Sequence, residues 1–265
     1  MGRKGMEQNG HSREFRLRYS EVDDRGELTP VALLNIIEET ASSHCDESGW
    51  GVFRLMEEGY GWVLLRGGFE MSRYPRYRED FRVETWISRA RRFEAYRENR
   101  IVSSTGEVLG TARALWLFYD IAKHRPASIF EDILKVWAPG GQAASGMDLS
   151  EIDGPAPGAE GRAAESDFAV RRADIDTNGH VNNVVYLSWA LEALPKATRE
   201  GAYLSSLRGQ FKRELKLGAC AMPLCADEGE GKFRLGVIAS PGSPAEEGSY
   251  MAAAAESLWR PRLSA

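Results

Sequence analysis

Laid on itself, the chain repeats. Phe15-Arg16-Leu17-Arg18 matches Phe168-Ala169-Val170-Arg171 at a displacement of 153 residues. At the same displacement Asp23 falls on Asp176, Gly26 on Gly179, Leu28 on Val181 and Glu39 on Glu192. Further on, Leu115-Trp116 matches Leu258-Trp259 at 143, so the second copy carries shorter loops. Coincidences at one offset without a gap constrain the fold strongly, because the repeated unit is then one block of elements used twice. With 265 residues, 43% of them hydrophobic, the chain has enough apolar side chain for two modest cores. The stretch Pro139–Ser166 is rich in Pro, Gly, Ala and Ser and contains Pro-Gly-Gly and Gly-Pro-Ala-Pro-Gly, a composition that reads as a flexible or surface-lying linker. The expected organisation is a first unit over 12–138, a linker over 139–166 and a second unit over 167–262.

Each copy has the same order of elements. A short strand comes first (Phe15–Tyr19; Phe168–Arg172), then a turn, then an apolar helix. Leu33, Ile36, Ile37 and Ala41 sit at helical spacing, as do Val184, Leu187, Leu191 and Leu194. Pro30 suits the start of the first helix and Pro195 the end of the second. Strands follow. Phe81, Val83, Thr85 and Ile87 alternate with Arg82, Glu84 and Trp86, and Arg113–Tyr119, Leu204–Leu215 and Phe233–Ala239 also read as strands. The Ala-rich run Met251–Ala255 favours helix by propensity, but its repeat partner is strand-like, so strand is expected. The plan is α+β: a helix wrapped by an antiparallel sheet, twice.

Bulk properties exclude several functions. A net charge of −5 argues against an electrostatic nucleic-acid binder. The longest apolar runs, Trp62–Leu65 and Leu115–Tyr119, are far too short to span a bilayer. The polar Met1–Gly10 segment has no signal-peptide character, which leads to the expectation of a cytoplasmic protein. Cys45, Cys220 and Cys225 are odd in number and scattered, consistent with a reducing compartment. Cys220 and Cys225 have no nearby His or second Cys pair, so no zinc or other metal site is expected.

The densest polar cluster is Asp174-Ile175-Asp176-Thr177-Asn178-Gly179-His180-Val181-Asn182-Asn183, just ahead of the second helix. Asn182 or Asn183 can cap that helix, whose leftover N–H groups and dipole suit a carbonyl oxygen that becomes negative. Gly179 permits a tight turn and close approach of substrate. Asp176 and His180 can activate water or orient the group that does, and Asn178 can hold a thioester oxygen or the water. The same residues also make an ordinary Asp-x-Asn-Gly turn and an ordinary cap. The repeat adds a contrast: the first copy keeps Asp23 and Gly26 but has Arg25 in place of Asn178 and Glu27 in place of His180. One copy then carries an active site and the other a lapsed one.

The run Asp176-Thr177-Asn178-Gly179-His180-Val181-Asn182-Asn183-Val184-Val185-Tyr186, followed by Trp189 and Glu192, resembles the motif of plant and bacterial acyl-acyl carrier protein (ACP) thioesterases. The first copy resembles the same family in order: Glu39-Thr40-Ala41-Ser42-Ser43-His44, Trp62-Val63, Arg73-Tyr74-Pro75, Thr85-Trp86-Ile87 and Thr105-Gly106-Glu107. The resemblance runs from about Phe15 to Arg260. It implies a tandem hot-dog fold and hydrolysis of a fatty acyl-ACP without cofactor or metal. It also implies that Asp176, Asn178 and His180 are catalytic, with Gly179, Val181, Asn182 and Asn183 beside the substrate. The family's Arg-Arg-Glu-Cys-like strand matches Lys212-Arg213-Glu214-Leu215, which makes Glu214 a fourth catalytic candidate and puts Leu215 where the family has Cys. Leucine has no nucleophile, so water attack is expected in place of a Cys–His mechanism. The residues leave open which of Asp176, His180 and Glu214 takes the proton.

An acidic chain meeting an acidic carrier protein needs a local basic surface. Arg73, Arg76, Arg78, Arg82, Arg89, Arg91 and Arg92 crowd one stretch of the first copy, and all of them except Arg82 are the expected carrier-binding residues, though Glu79, Asp80 and Glu84 offer them partners. Trp62 suits either a core or an acyl tunnel. His44 lies on an apolar helix face and reads as a core or helix-end histidine. Rival readings are an acyl-CoA thioesterase of the single-domain hot-dog class, a hot-dog enoyl-thioester hydratase and a non-catalytic acyl-binding module. A double hot-dog already imitates the usual two-fold dimer within one chain, and the sequence leaves a further homodimer open.

Overall fold

The computed structural model describes residues 10–155, 168–240 and 249–262. The chain forms two compact units, residues 1–149 and 150–265. In the first unit, β1 (His11–Arg16) leads through a 3-10 turn (Tyr19–Glu21) into helix α1 (Pro30–Glu47) and the short α2 (Val52–Glu57). Four long strands follow, β2 (Tyr60–Met71), β3 (Asp80–Ala90), β4 (Glu94–Ser103) and β5 (Val108–Asp120), then β6 (Arg125–Pro126) and α3 (Glu131–Trp137). The strands are antiparallel in the order β1-β3-β4-β5-β2, with β6 beside β5.

The second unit repeats the five-strand order without a counterpart of β6 among the described residues. It has β7 (Phe168–Ala169), a 3-10 turn (Arg172–Asp174), α4 (Asn183–Glu192), α5 (Lys196–Gly201), β8 (Ala202–Phe211), β9 (Cys220–Gly229), β10 (Lys232–Ser240) and β11 (Tyr250–Pro261). Their order is β7-β9-β10-β11-β8, again antiparallel throughout. The run Met251–Ala255 is strand, as its repeat partner required.

Each helix lies on its own unit's sheet: α1 packs on β1 and β3, and α4 on β9, β10 and β11. Pro30 occupies the first turn of α1, and Thr29 caps it by accepting the Ala32 N–H at 3.2 Å. Leu33 and Ile36 are buried on the sheet side, each contributing roughly 1.5–3 kcal/mol relative to exposure. Val184, Leu187 and Leu191 do the same for α4. The α+β tandem hot-dog plan is therefore present in both halves.

Three expectations need correction. The first strand of each half stops short of Tyr19 and Arg172, because the chain tightens into a 3-10 turn there. β8 ends at Phe211 and does not reach Leu215: the Lys212 and Arg213 N–H groups both donate to the Ala252 carbonyl, at 2.8 and 3.1 Å, and two donors on one acceptor break the ladder. Glu214 thus lies in a loop. The stretch after Trp137 is not merely a flexible connection. On the first unit the Gln142 carbonyl accepts the Trp86 indole N–H at 2.8 Å, and the Ala144 N–H donates to Glu98 at 3.0 Å. Met147 and Ile152 are buried. Residues 156–166, the rest of the expected linker, lie outside the described residues, as does residue 167.

Candidate active site

The turn ahead of each helix is built by the same hydrogen bonds. In the second half Asp176 N–H donates to the His180 carbonyl at 2.9 Å, and Gly179 N–H returns to the Asp176 carbonyl at 3.1 Å. In the first half Asp23 N–H donates to Glu27 at 2.8 Å, and Gly26 N–H to Asp23 at 3.0 Å. Both glycines have positive φ, 73° at Gly26 and 79° at Gly179, a conformation costly for any residue with a Cβ. Val181 N–H donates to Leu215 and Leu28 N–H to Pro75, each at 2.9 Å, so each turn is tied to a loop leaving its sheet. Even the entry is shared: Arg171 N–H donates to Asp174 and Arg18 N–H to Glu21, each at 2.7 Å. Burial alone would raise the Asp174 carboxyl, but bonds from the Arg171 side chain and backbone hold it below its usual range.

Side chains separate the twins. In the second half the His180 Nδ1 lies 3.1 Å from the Glu214 Oε2, with His180 partly exposed and Glu214 more than half exposed. Asp176 is committed to Asn178: its two carboxylate oxygens accept the Asn178 N–H at 2.8 Å and the side-chain Nδ2–H at 3.3 Å. Asn178 is itself exposed. In the first half Arg25 and Glu27 replace the amide and the imidazole, and the position matching Glu214 is Tyr74, which is buried.

The backbone donors around the turn are mostly spent. Gly179 and Val181 N–H are used as above, Asn182 N–H donates to the Asp174 carbonyl at 2.9 Å, and the Asn182 side chain caps α4 by accepting Val184 N–H at 2.7 Å. Val181 is buried. Asn183 N–H has no partner among the described residues, which leaves one donor at the start of α4. Of the residues expected beside a substrate, Gly179, Val181 and Asn182 thus serve the turn and the helix start.

Residues 8–137 match the acyl-ACP thioesterase N-terminal domain, and residues 159–252 match the acyl-ACP thioesterase C-terminal domain. The chain belongs to the acyl-ACP thioesterase family. A palmitoyl-acyl carrier protein thioesterase of Gossypium hirsutum is 28% identical over 227 residues, which cover 77% of this chain and 51% of that protein. A dodecanoyl-[acyl-carrier-protein] hydrolase of Cinnamomum camphora is 26% identical, covering 95% of this chain and 68% of the relative. The chain thus spans about half the length of the Gossypium relative. A solved acyl-ACP thioesterase from Bacteroides thetaiotaomicron shares the fold with a TM-score of 0.83 at 23% identity, over 95% of this chain and 98% of that one.

Within this acyl-ACP thioesterase fold, two groups beside Glu214 had no assigned role in the sequence. The Tyr186 hydroxyl, on α4, accepts the Leu215 N–H at 2.6 Å, and the Tyr250 hydroxyl donates to the Glu214 carbonyl at 3.4 Å. Tyr186 stands inside the quoted motif, and a hydroxyl on a buried helix face is the signal that marks it. The carrier-binding arginines fall into two places. Arg73, Arg76 and Arg78 precede β3, whereas Arg89 lies in its last two residues and Arg91 and Arg92 follow its end, roughly 30 Å apart at 3.3 Å per strand residue. Arg73 is paired with Glu79 at 3.0 Å and with Glu107 at 2.9 Å. Arg89, Arg91 and Arg92 are exposed and have no carboxylate partner among the described residues. Trp62 is half-buried and packs against Phe118 and Trp137 of the first unit's core, with ring centroids 4.8 and 5.3 Å away. His44 is buried and its Nδ1 accepts from Arg97 at 3.1 Å. Among the described residues, no group of His, Cys, Asp and Glu is arranged to hold a metal.

Proposed function

We propose that the chain hydrolyses fatty acyl-ACP thioesters to free fatty acid and carrier thiol, with water as nucleophile and the second-half turn as the active site. The contact between His180 and Glu214 carries this reading, because it joins the motif turn to the following loop through two groups that can share a proton. Glu214 holds the proton on His180 Nδ1, which leaves Nε2 unprotonated to take a proton from water. The hydroxide equivalent adds to the thioester carbonyl carbon, the C–S bond breaks, and the imidazolium returns the proton to the departing sulfur. Asp176 orients Asn178, since both of its oxygens bind that residue. The remaining Asn178 hydrogen-bonding capacity and the Asn183 N–H are the groups placed to hold the thioester oxygen. The commitment of both Asp176 oxygens to Asn178 supports taking the His180–Glu214 pair as the base.

The carrier docks through Arg89, Arg91 and Arg92, whose charges no carboxylate among the described residues neutralises. Thiol release from a series of acyl-ACPs, run beside the same acyl chains on CoA, tests the activity and the carrier preference together. Hydrolysis of acyl-ACP that disappears in His180→Ala supports the assignment. Full activity in His180→Ala sinks it, and hydration of crotonyl-CoA without thiol release moves the chain to the hydratase class.

A further inference from the structure

We propose that Tyr186 is a positioning residue that sets the Glu214 carboxylate against His180; this rests on the reading of that pair as the base. Glu214 has no strand to hold it, because β8 ends at Phe211. A glutamate in a loop, with its side chain more than half exposed, would ordinarily sample several rotamers and backbone states. Here the adjoining peptide units are pinned from three sides. Leu215 N–H donates to the Tyr186 hydroxyl at 2.6 Å, and Leu215 C=O accepts the Val181 N–H at 2.9 Å. Glu214 C=O accepts the Tyr250 hydroxyl at 3.4 Å, while the Arg213 guanidinium lies over the Tyr250 ring, 4.0 Å from its centroid. Leu215 itself is buried and anchors the loop to the core.

Of these ties the Tyr186 bond is the short, buried one, and it comes from the helix that starts immediately after the turn. Tyr186 is set in place by an edge contact to Trp189 at 5.7 Å and a tilted one to Phe211 at 6.1 Å, so its hydroxyl has little freedom. Burial pushes that hydroxyl far above the ordinary tyrosine range, partly offset by the Leu215 N–H. Tyr186 is therefore protonated at any working pH and acts through hydrogen bonding alone. The Val181–Leu215 bond fixes one end of the turn that carries His180, and the Tyr186–Leu215 bond fixes the peptide that carries Glu214. Leu215 is the common post. A shift of about 1 Å between catalytic groups costs roughly 100-fold in rate, which sets the scale for losing one tie.

The test is Tyr186→Phe, which removes one oxygen and keeps the ring, assayed by thiol release from an acyl-ACP. The expected result is a kcat lowered roughly 10- to 100-fold with KM for acyl-ACP unchanged, while the thermal midpoint falls by a few degrees, because the buried Leu215 N–H loses its acceptor. Combined with Glu214→Gln, Tyr186→Phe produces no further loss, because the group it positions has already gone. A Tyr186→Phe enzyme with parental kcat, or a double variant whose losses multiply, overturns the inference. An ester bond in place of the Leu215 amide removes the same hydrogen bond from its other end without touching Tyr186, and serves if Tyr186→Phe fails to fold. It gives the same kcat loss if the inference holds and parental kcat if it does not. Failure of the underlying reading looks different: Glu214→Gln alone would then be fully active.

Discussion

The His180 imidazole and the Glu214 carboxylate meet at 3.1 Å although 34 residues separate them and neither sits on regular secondary structure. Two groups that act as one unit show non-additive losses. Glu214→Gln lowers kcat for acyl-ACP hydrolysis by roughly 100-fold or more, within the range general-base groups supply. His180→Ala combined with Glu214→Gln is no slower than the slower single variant. Steady-state thiol release on all three enzymes is the measurement, and multiplied losses would show that the two residues work separately.

The first-half twin tests what a site needs beyond its motif. Arg25→Asn with Glu27→His rebuilds Asp-x-Asn-Gly-His on a turn whose backbone bonds already match within about 0.1 Å. No thioesterase activity appears when this pair is introduced into a His180→Ala background. The reason is Tyr74: buried, and standing where the second half has Glu214, it supplies no carboxylate. Recovery of turnover in that triple variant would show that Glu214 is dispensable.

Much of the fold was legible because the repeat transmits constraint from one half to the other. Met251–Ala255 is ambiguous by propensity, yet its counterpart in β5 settles it as strand. The turn at 176–180 was legible for the same reason, since glycine at both 26 and 179 marks one backbone conformation. The loop position of Glu214 was hidden. Nothing local in Phe211-Lys212-Arg213-Glu214-Leu215 marks where β8 stops, and the double donation to the Ala252 carbonyl, a contact 40 residues away, ends the strand. The division of the arginines was hidden too, because neighbours in sequence at the two ends of one long strand are distant in space. Whether an exposed-looking N–H is spent, as at Val181 and Asn182, depends on partners such as Leu215 and Asp174 that no local pattern reveals.

Asn182 holds the start of α4, and its loss reads as stability. Asn182→Ala removes the acceptor of the Val184 N–H, 2.7 Å away, and costs about 1 kcal/mol, whereas Asn182→Ser keeps a cap and most of the stability. Urea unfolding of the three proteins measures this. Equal midpoints for Ala and Asn would show that the cap contributes nothing.

Acid sensitivity follows from His44. Burial, then the Arg97 guanidinium and then His11 lower its pKa from 6.5 to about 3. A guanidinium only donates, so the Nδ1 facing Arg97 is an acceptor and the ring is neutral. The unfolded chain takes up a proton near pH 6.5 and the folded chain does not until about 3. Stability from this group is complete above pH 6.5 and falls as pH drops towards 3, by up to about 1.4 kcal/mol per unit. His44→Asn flattens the slope of unfolding free energy between pH 4 and 6.5 relative to the parent. An unchanged slope would mean that His44 titrates in the folded protein as it does in water.

Charge reversal separates the two arginine groups. Arg73 already satisfies Glu79 and Glu107, so little of its field reaches a partner. Arg89, Arg91 and Arg92 project their charge into solvent, with Arg89 and Arg92 braced 5.7 Å from the rings of Tyr96 and Phe93. Steering of an acidic carrier acts on encounter, so it changes KM and its salt dependence before it changes kcat. Replacing Arg89, Arg91 and Arg92 by Glu therefore raises KM for acyl-ACP by roughly ten-fold or more at low salt, with KM for the same acyl group on CoA little altered. The same exchange at Arg73, Arg76 and Arg78 has the smaller effect on acyl-ACP and lowers stability, because it sets new carboxylates beside Glu79 and Glu107. Initial rates at two ionic strengths decide this, and equal KM shifts on the two thiol carriers would rule out docking through the far end of β3.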